Sequence, residues 1–335
     1  MSISLDKLTI QGFKSIRELN DFELRNLNIF VGANGAGKSN LIAFFRLLQA
    51  SVEDRLADYV RDSGGIGDLL HNGRKATRQM LFATRFDSEE YGFTIKPGAG
   101  ENFALTDATP AVGEPILRAI RSWKLYHFHD TSPTAAMRHA EIIEDNRILR
   151  CDAANIGPFL LRLRHEDRFS YDDIRNACRA VAPFFDDFLL EPQTFGPKTK
   201  VALSWRSKGS DYPMQPYHLS DGTIRFICLA TALLQPVPPS TIIIDEPELG
   251  LHPEAIGILG ELIEDGAKRT QIVIATQSPL LLDHFAIEDI VVVKRNDGQS
   301  TFRRLRHDDY HVWLESYSVG ELWVKNVIAG GAAHE

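Results

Sequence analysis

A glycine-rich segment at residues 32–39, GANGAGKS, combines small residues with one lysine and one serine. It fits the pattern G-x-x-x-x-G-K-[ST], in which glycines let the backbone curl so that its N–H groups face a phosphate. The run before it, residues 29–31, is apolar and β-leaning, and the residues after it are apolar at helical spacing: Leu41, Phe44, Phe45, Leu47 and Leu48. This order of strand, loop and helix favours phosphate binding at a helix N-terminus.

The segment therefore predicts a loop that binds the phosphates of a nucleotide together with Mg²⁺. We expect Lys38 to reach the β- and γ-phosphates and Ser39 to ligate Mg²⁺. The full set of predicted binding residues in the loop is Gly32, Ala33, Asn34, Gly35, Ala36, Gly37, Lys38, Ser39 and Asn40.

Two adjacent carboxylates follow a second buried strand. Residues 241–244, TIII, are β-branched throughout, which is typical of a parallel strand buried on both faces. Asp245 and Glu246 follow at its carboxyl end, where ligands bind in open α/β sheets. Asp245 is suited to hold Mg²⁺ through Ser39 and water. Glu246 suits a base that orients or activates an attacking water.

Two further polar segments are candidates for the same site. Residues 271–275 predict another buried strand, which ends in Thr-Gln-Ser-Pro, and Gln277 could reach the γ-phosphate from there. Residues 218–223, HLSDGT, precede an apolar helix, and Ser220 lies where it could simply cap that helix.

The whole composition is that of an ordinary soluble protein, with 335 residues, 44% hydrophobic and 24% charged. The net charge of −8 does not favour a broad nucleic-acid-coating surface. The three cysteines lie far apart and without zinc spacing, which favours a reducing cytoplasm. The apolar runs are much shorter than a membrane span, so we expect no membrane partner.

The remaining chain supplies the elements that position these segments. We expect helices at residues 153–165 and 172–188, a loop at 98–113 and a closing hairpin near the C-terminus with a turn at Asn296, Asp297 and Gly298. The apolar tail is expected to pack on the core or on a partner.

Residues 126–132, YHFHDTS, leave alternatives open. Two histidines and an aspartate suggest a metal, whereas the alternation of aromatic and histidine residues favours a half-buried strand. A role beside the γ-phosphate is a third possibility. Basic residues also gather along the chain, and they predict either solvated faces or a DNA groove: Arg162, Arg164, His165, Arg168, Lys198, Lys200, Arg303, Arg304 and Arg306.

The motifs GANGAGKS, LSDGT, IIIDEPELGLHP and ATQSP, in that order, resemble the ABC-type ATPases of the RecF and SMC group. Residues 10–16, IQGFKSI, resemble that group's first strand. The chain is most similar to compact RecF-like bacterial ATPases, often labelled AAA-family ATPases. The resemblance implies an α/β, ABC-type P-loop NTPase core with a mixed sheet and an inserted, mostly helical α+β subdomain. Residues 1–50 and 216–335 would form its two lobes, and residues 51–215 the insertion.

The resemblance also implies roles for residues. The glycine-rich loop corresponds to Walker A, and Asp245 with Glu246 to Walker B. Ser220 and Gly222 match the signature motif, which in the family contacts the γ-phosphate held by the other protomer of a homodimer. Gln277 stands where many relatives have a switch histidine, so Lys38, Glu246 and Gln277 are the expected catalytic residues.

Besides Gln277, two features depart from the family pattern. His252 lies near the D-loop, where an aspartate is more usual. The glutamine-loop equivalent is open between Gln79 and the pair His129 and Asp130.

The expected function is ATP hydrolysis that gates a DNA-linked process, such as repair or anti-phage defence, through a separate nuclease or toxin effector. DNA is a possible partner. The alternative is a slowly hydrolysing, nucleotide-dependent switch that binds a protein and has no DNA affinity. Two features exclude other relatives: the insertion lacks sustained heptads for a long coiled coil, and too few residues follow Pro279 for a nuclease domain.

Overall fold

The computed structural model describes residues 3–100, 102–109 and 112–328. The chain divides into two compact units. The first unit comprises Met1–Lys124, Pro239–Asp245 and Thr270–Glu335, and the second comprises Leu125–Pro238 and Glu246–Arg269. The three-segment division expected from the motifs stays a prediction.

Seventeen strands lie in the described residues. They are β1 (Lys7–Phe13), β2 (Ile16–Glu23), β3 (Leu27–Val31), β4 (Met80–Phe86), β5 (Glu89–Pro97), β6 (Phe103–Thr106), β7 (Lys124–Tyr126), β8 (Glu141–Ile142), β9 (Phe185–Leu189), β10 (Gln193–Phe195), β11 (Lys198–Val201), β12 (Ser204–Ser207), β13 (Pro213–Met214), β14 (Thr241–Asp245), β15 (Gln271–Thr276), β16 (Ile290–Asn296) and β17 (Gln299–Arg304).

Twelve α-helices lie in the same part of the chain. They are α1 (Lys38–Val52), α2 (Leu56–Asp62), α3 (Ile66–Leu69), α4 (Gly73–Ala76), α5 (Glu114–Ser122), α6 (Ile156–Glu166), α7 (Arg168–Val181), α8 (Asp221–Leu234), α9 (Pro253–Ala267), α10 (Pro279–Leu282), α11 (His307–Leu314) and α12 (Val319–Val324). None of the described helices is long and apolar enough to cross a membrane.

The first unit contains a mixed sheet in which β17, β16, β3, β15 and β14 are neighbours in that order. Strand β3 pairs in parallel with β15 and β16, and β14 pairs in parallel with β15. Strand β17 returns antiparallel to β16 through a turn at Asp297 and Gly298, both with positive φ. The predicted closing hairpin and the predicted mixed sheet are therefore confirmed.

A second sheet of this unit is antiparallel, with the order β2-β1-β4-β5-β6. The apolar side chains of helix α1 are buried, as their helical spacing predicts. Its Phe44 and Phe45 belong to an aromatic core with Phe82 and Trp123, and the rings of Phe45 and Trp123 meet edge to face at 5.4 Å. Such aromatic pairs favour particular ring orientations and so stabilise the core beyond the burial of apolar area.

The second unit combines two small antiparallel sheets, β10-β11-β8 and β13-β12-β9, with helices α6 to α9. Helix α8 packs against both α7 and α9. It carries apolar residues all round, and most of its side chains are buried. A helix of this kind belongs inside a core rather than at a surface.

Three local expectations were wrong. Residues 98–113 include strand β6, which the sequence hides because a short edge strand with exposed side chains lacks apolar alternation. The second predicted helix ends at Val181, and Phe185–Leu189 is a strand. Strand β7 ends at Tyr126, because the carbonyls of Phe128 and His129 accept hydrogen bonds from a side chain instead of a neighbouring strand.

Candidate nucleotide-binding site

Parallel pairing in the first unit sets the position of three predicted site segments. Strand β3 leads into the glycine-rich loop, β14 ends at Asp245, and β15 ends just before Gln277. In the register of the sheet, Val31 pairs with Thr276 and Ala275 pairs with Asp245. The three strands therefore end at one edge of the sheet, which is where ligands bind in this class of fold.

Side chains from these segments converge. The Ser39 hydroxyl lies 3.5 Å from a carboxylate oxygen of Asp245, 206 residues away in sequence. Hydroxyl and carboxylate oxygens are ligands that suit Mg²⁺, so the residues present fit the expected ion. Lys38 is only 6% exposed, and its ammonium donates to the carbonyls of Gly32 and Ala33. It therefore lies within the curl of the loop.

Gln277 lies beside the loop, where its side-chain amide donates to the Asn34 side-chain oxygen over 2.8 Å. Asn34 belongs to the tip of the glycine-rich segment. The structure thus brings together Gln277, Asp245, Lys38 and Ser39, while the chemical role of each stays a prediction.

The turn from loop into helix depends on Gly37. Its φ of 116° lies in a region that side chains with a β-carbon rarely adopt. A β-carbon there would also collide with the Ser300 hydroxyl and come within 2.9 Å of the Ser15 hydroxyl. Helix α1 begins at the next residue, so its N-terminus faces the site.

A chain of hydrogen bonds holds this turn from behind. The Ser300 hydroxyl donates to the Ala36 carbonyl over 2.6 Å, so its oxygen accepts from the Ser15 hydroxyl, also over 2.6 Å. Ser15 in turn accepts from the Asn40 amide. Ser15 and Ser300 are buried, and both ends of the chain lie on the loop segment. These two serines were missed in the sequence, where isolated serines carry no signal.

The signature-like segment lies in the second unit. Ser220 is the N-cap of α8, and its hydroxyl accepts from the Thr223 N–H over 3.1 Å, which confirms the capping interpretation. Gly222 lies in the first turn of α8. Arg138 binds the segment on both sides of Ser220: it donates to the carbonyls of Pro216 and Leu219 and pairs with the Asp221 carboxylate at 2.8 Å.

Arg225 links three segments of the second unit. From inside α8 it donates to the carbonyls of Phe128, His129 and Leu249. The side chain is buried, and burial lowers the pKa of its guanidinium below the ordinary value, against the effect of Asp221. This structural role of Arg225 was missed in the sequence. The signal for it was an arginine within a run of apolar helical residues, because a charged side chain is rarely buried unless it has partners. Helix α8, residues 128–129 and the turn at Leu249 are therefore held together by one side chain.

Glu246 has a φ of 45°, which is unusual for a residue with a β-carbon. Its carbonyl accepts from the Leu249 N–H, so the chain turns directly after β14. His252 ends this turn as the N-cap of α9, and its ring accepts from the Glu254 N–H at 3.4 Å. Pro253 is the first residue of the helix.

The two candidates for the glutamine-loop equivalent, Gln79 and the pair His129 and Asp130, lie in different units of the structure. Gln79 lies exposed in the first unit, directly before β4. In the second unit, the His129 carbonyl accepts a hydrogen bond from Arg225. Hydrogen bonds from the Ser132 side chain and from the Ser132 N–H hold the pKa of the Asp130 carboxyl below its ordinary value. Within residues 3–100, 102–109 and 112–328, no three side chains of His, Cys, Asp or Glu form a group able to hold a metal.

Many of the basic residues make structural contacts. Arg162 pairs with Glu166 and Arg168 with Asp172, each at 3.2 Å. Arg304 donates to the carbonyls of Glu23 and Glu288 and to the Asn28 side chain, and burial lowers its pKa to about 10. These contacts favour a structural or solvated position for these basic residues over a place in a DNA-binding groove.

A glycine-rich loop between a parallel strand and a helix, with a carboxylate at the end of the next parallel strand but one, is the arrangement of a P-loop NTPase fold. The family described as "AAA domain, putative AbiEii toxin, Type IV TA system" matches residues 27–283. The chain belongs to this family. None of the curated proteins matches the sequence.

Solved structures of SMC head domains share the fold. One is the SmcHead bound to the C-winged helix domain of ScpA, with 17% identity, a TM-score of 0.65 and coverage of 92% of this chain and 99% of that chain. An Smc head with an extended coiled coil, bound to the C-terminal domain of ScpA derived from Pyrococcus furiosus, has 15% identity, a TM-score of 0.62 and coverage of 93% and 98%. The SMC head domain from Thermotoga maritima has 15% identity, a TM-score of 0.50 and coverage of 91% and 100%.

Replacing Ser300 with alanine tests the hydrogen-bond chain behind the loop. The change leaves the Ala36 carbonyl and the Ser15 hydroxyl without their buried partner, which should cost about 1–3 kcal/mol of unfolding free energy. Denaturant unfolding measures this cost, and calorimetry with ATP should show weaker binding. The matched control is Ser88→Ala in the exposed β4–β5 turn. A stability loss no greater than that of the control would contradict the proposed support of the loop.

Proposed function

We propose that the protein binds ATP with Mg²⁺ at the carboxyl ends of β3, β14 and β15 and hydrolyses it by attack of water on the γ-phosphate. The observation that carries the proposal is the convergence of Ser39 with Asp245 beside a buried Lys38. A nucleotide-binding ATPase is also what the family and the fold support.

Each residue has a distinct part in this proposal. When bound, Mg²⁺ would neutralise phosphate charge and favour in-line displacement. Lys38 exchanges its bonds to loop carbonyls for bonds to phosphate oxygens. Glu246 accepts the proton of the attacking water, and Gln277 orients that water through its amide. Asp245 and Ser39 hold the ion. The loop amides and the N-terminus of α1 stabilise the charge that remains.

We further propose that two copies form two composite sites. Ser220 and Gly222 of one protomer would contact the γ-phosphate bound by Lys38 of the other, in an isologous dimer. The support is the family resemblance of the signature motif and the exposed position of Ser220 at a helix N-terminus. Arg138 would keep this segment in one conformation.

The ATP cycle would gate a partner effector. The family description names a putative toxin of a type IV TA system, and two head structures of similar fold are bound to domains of ScpA. These names support a protein partner, and we propose that it is a toxin or a nuclease effector in anti-phage defence or DNA repair in the cytoplasm. DNA binding is a further proposal, and salt-dependent affinity for a duplex would test it.

A slowly hydrolysing switch is the second candidate. It is favoured by Gln277, since an amide cannot take up a proton as a histidine can, and by the hydrogen bond that this amide makes with Asn34. Slow turnover would then set the lifetime of a closed complex with a protein partner, without DNA.

Lys38→Ala tests nucleotide binding. The phosphates would lose charge-assisted hydrogen bonds, each worth roughly 1.5–3 kcal/mol, so ATP affinity should fall at least about tenfold. Calorimetry measures the affinity, with the exposed Lys75→Ala as the matched control. Unchanged affinity in Lys38→Ala would refute the assignment of the loop.

Glu246→Gln tests hydrolysis separately from binding. The amide keeps the shape of the side chain and loses the base, so turnover should fall on the order of 10²–10⁴-fold while ATP still binds. Phosphate release measures turnover, and Glu261→Gln on α9 is the matched control. Turnover within about threefold of wild type would mean that Glu246 is not the base.

Mixing two inactive chains tests the composite sites. Ser220→Arg and Lys38→Ala should each be inactive alone. In a heterodimer one site carries both changes and the other carries neither, so activity should return if the sites act independently. The measurement is ATPase rate against mixing ratio, with heterodimers verified independently.

Light scattering on ATP-bound Glu246→Gln supplies the control for the mixing experiment. A dimer there, with no recovery on mixing, would indicate obligately coupled sites. A strictly monomeric ATP-bound chain would exclude the composite site.

A further inference from the structure

The turn that carries Gln277 is fixed by its two neighbours. The Thr276 hydroxyl accepts from the Ser278 N–H over 3.0 Å, and the Ser278 hydroxyl accepts from the Leu281 N–H over 3.2 Å as the N-cap of α10. Thr276 is buried, as are Leu281 and Leu282. The orientation of Gln277 is thus coupled to the position of a single helical turn, residues 279–282.

That turn is in contact with the C-terminal helix α12. The Gly320 N–H donates to a carboxylate oxygen of Asp283 over 2.7 Å, although the two residues are 37 apart in sequence. A β-carbon on Gly320 would overlap the Pro279 carbonyl and approach the Asp283 carboxylate to 2.6 Å. Only glycine allows the two backbones to come this close.

Helix α12 is itself held firmly. Ser318 and Glu321 form a capping box at its N-terminus, and Leu322 and Trp323 are buried. The backbone N–H of Gly320 is at a buried residue and needs an acceptor, which Asp283 provides from its exposed position. A packed helix therefore presents a rigid surface to Pro279, two residues beyond Gln277.

We propose that Asp283 and Gly320 are positioning residues for Gln277, so that α12 sets the orientation of the glutamine amide toward the site. The proposal rests on the proposed hydrolysis of ATP. The path of contacts runs from α12 through Asp283 and Pro279 to Gln277, and from there to Asn34 of the loop. Neither Asp283 nor Gly320 contacts the nucleotide in this proposal. They act on turnover through the glutamine and leave ATP binding unchanged.

Asp283→Ala is the first test. The acceptor for Gly320 is lost, so kcat should fall about fivefold to tenfold while the Kd for ATP stays within about twofold. Asp283→Asn keeps an oxygen at the same place and should restore kcat to within about twofold of wild type. Asp309→Ala, at an exposed position on α11, is the matched control and should leave kcat unchanged.

A double-mutant cycle separates positioning from general stability. In a Gln277→Ala background, Asp283→Ala should have no further effect on kcat, because the group that it positions is already absent. An equal loss of kcat in both backgrounds would overturn the proposal, as would an unchanged kcat in Asp283→Ala. Failure of the proposed function has a different signature, since the wild type itself would then release no phosphate above the Glu246→Gln variant.

Ser318→Ala supplies an independent variant should Asp283→Ala fold poorly. It removes the cap of α12 and leaves Asp283 and Pro279 intact. A frayed α12 should lower kcat in the same direction with unchanged Kd, again only when Gln277 is present. A stability loss with unchanged kcat in this variant would likewise overturn the proposal.

Discussion

The parallel pairing of β15 with β3 on one side and β14 on the other is the constraint on which the candidate site depends. Side chains alternate between the two faces of a strand, so a slip of one residue would turn Asp245 or the end of β15 to the wrong face. Gln271 opposes such a slip at the start of β15. Its buried side chain exchanges hydrogen bonds with the backbone of Leu5 and accepts from the Thr241 hydroxyl. The register is thus fixed at the end of the sheet opposite to the site.

Buried side chains also donate hydrogen bonds to loop carbonyls in both units. Ser300 donates to Ala36 beside the glycine-rich loop, and Arg225 donates to Phe128, His129 and Leu249 in the second unit. Irregular backbone near a core has no ladder partner, and each unsatisfied carbonyl would cost free energy. Supplying a side-chain donor removes that cost and also fixes the conformation. Loops that carry motif residues can therefore be as well ordered as the strands that precede them.

Much of the fold was predictable, because its signals are local. The apolar runs of β3, β14 and β15, the helical spacing of α1 and the turn at Asp297 and Gly298 each lie within a short window of sequence. The segments that were predicted wrongly lack such signals. Strand β6 has exposed side chains at an edge, and residues 127–130 leave the strand conformation because Arg225, about a hundred residues later, binds their carbonyls. Propensity is a weak guide wherever a distant contact decides the backbone.

For the candidate site, the sequence by itself determined the loop, the strand-end carboxylates and the glutamine, since residue type and order are sufficient to recognise them. Only the tertiary structure decided that Ser39 meets Asp245 and that Gln277 meets Asn34. It also revealed Ser15, Ser300, Arg225 and Asp283, whose partners lie from 24 to 285 residues away. The physical reason is that a hydrogen bond requires a particular distance and direction between two groups. For groups far apart in the chain, these are set by strand register and helix packing rather than by residue type.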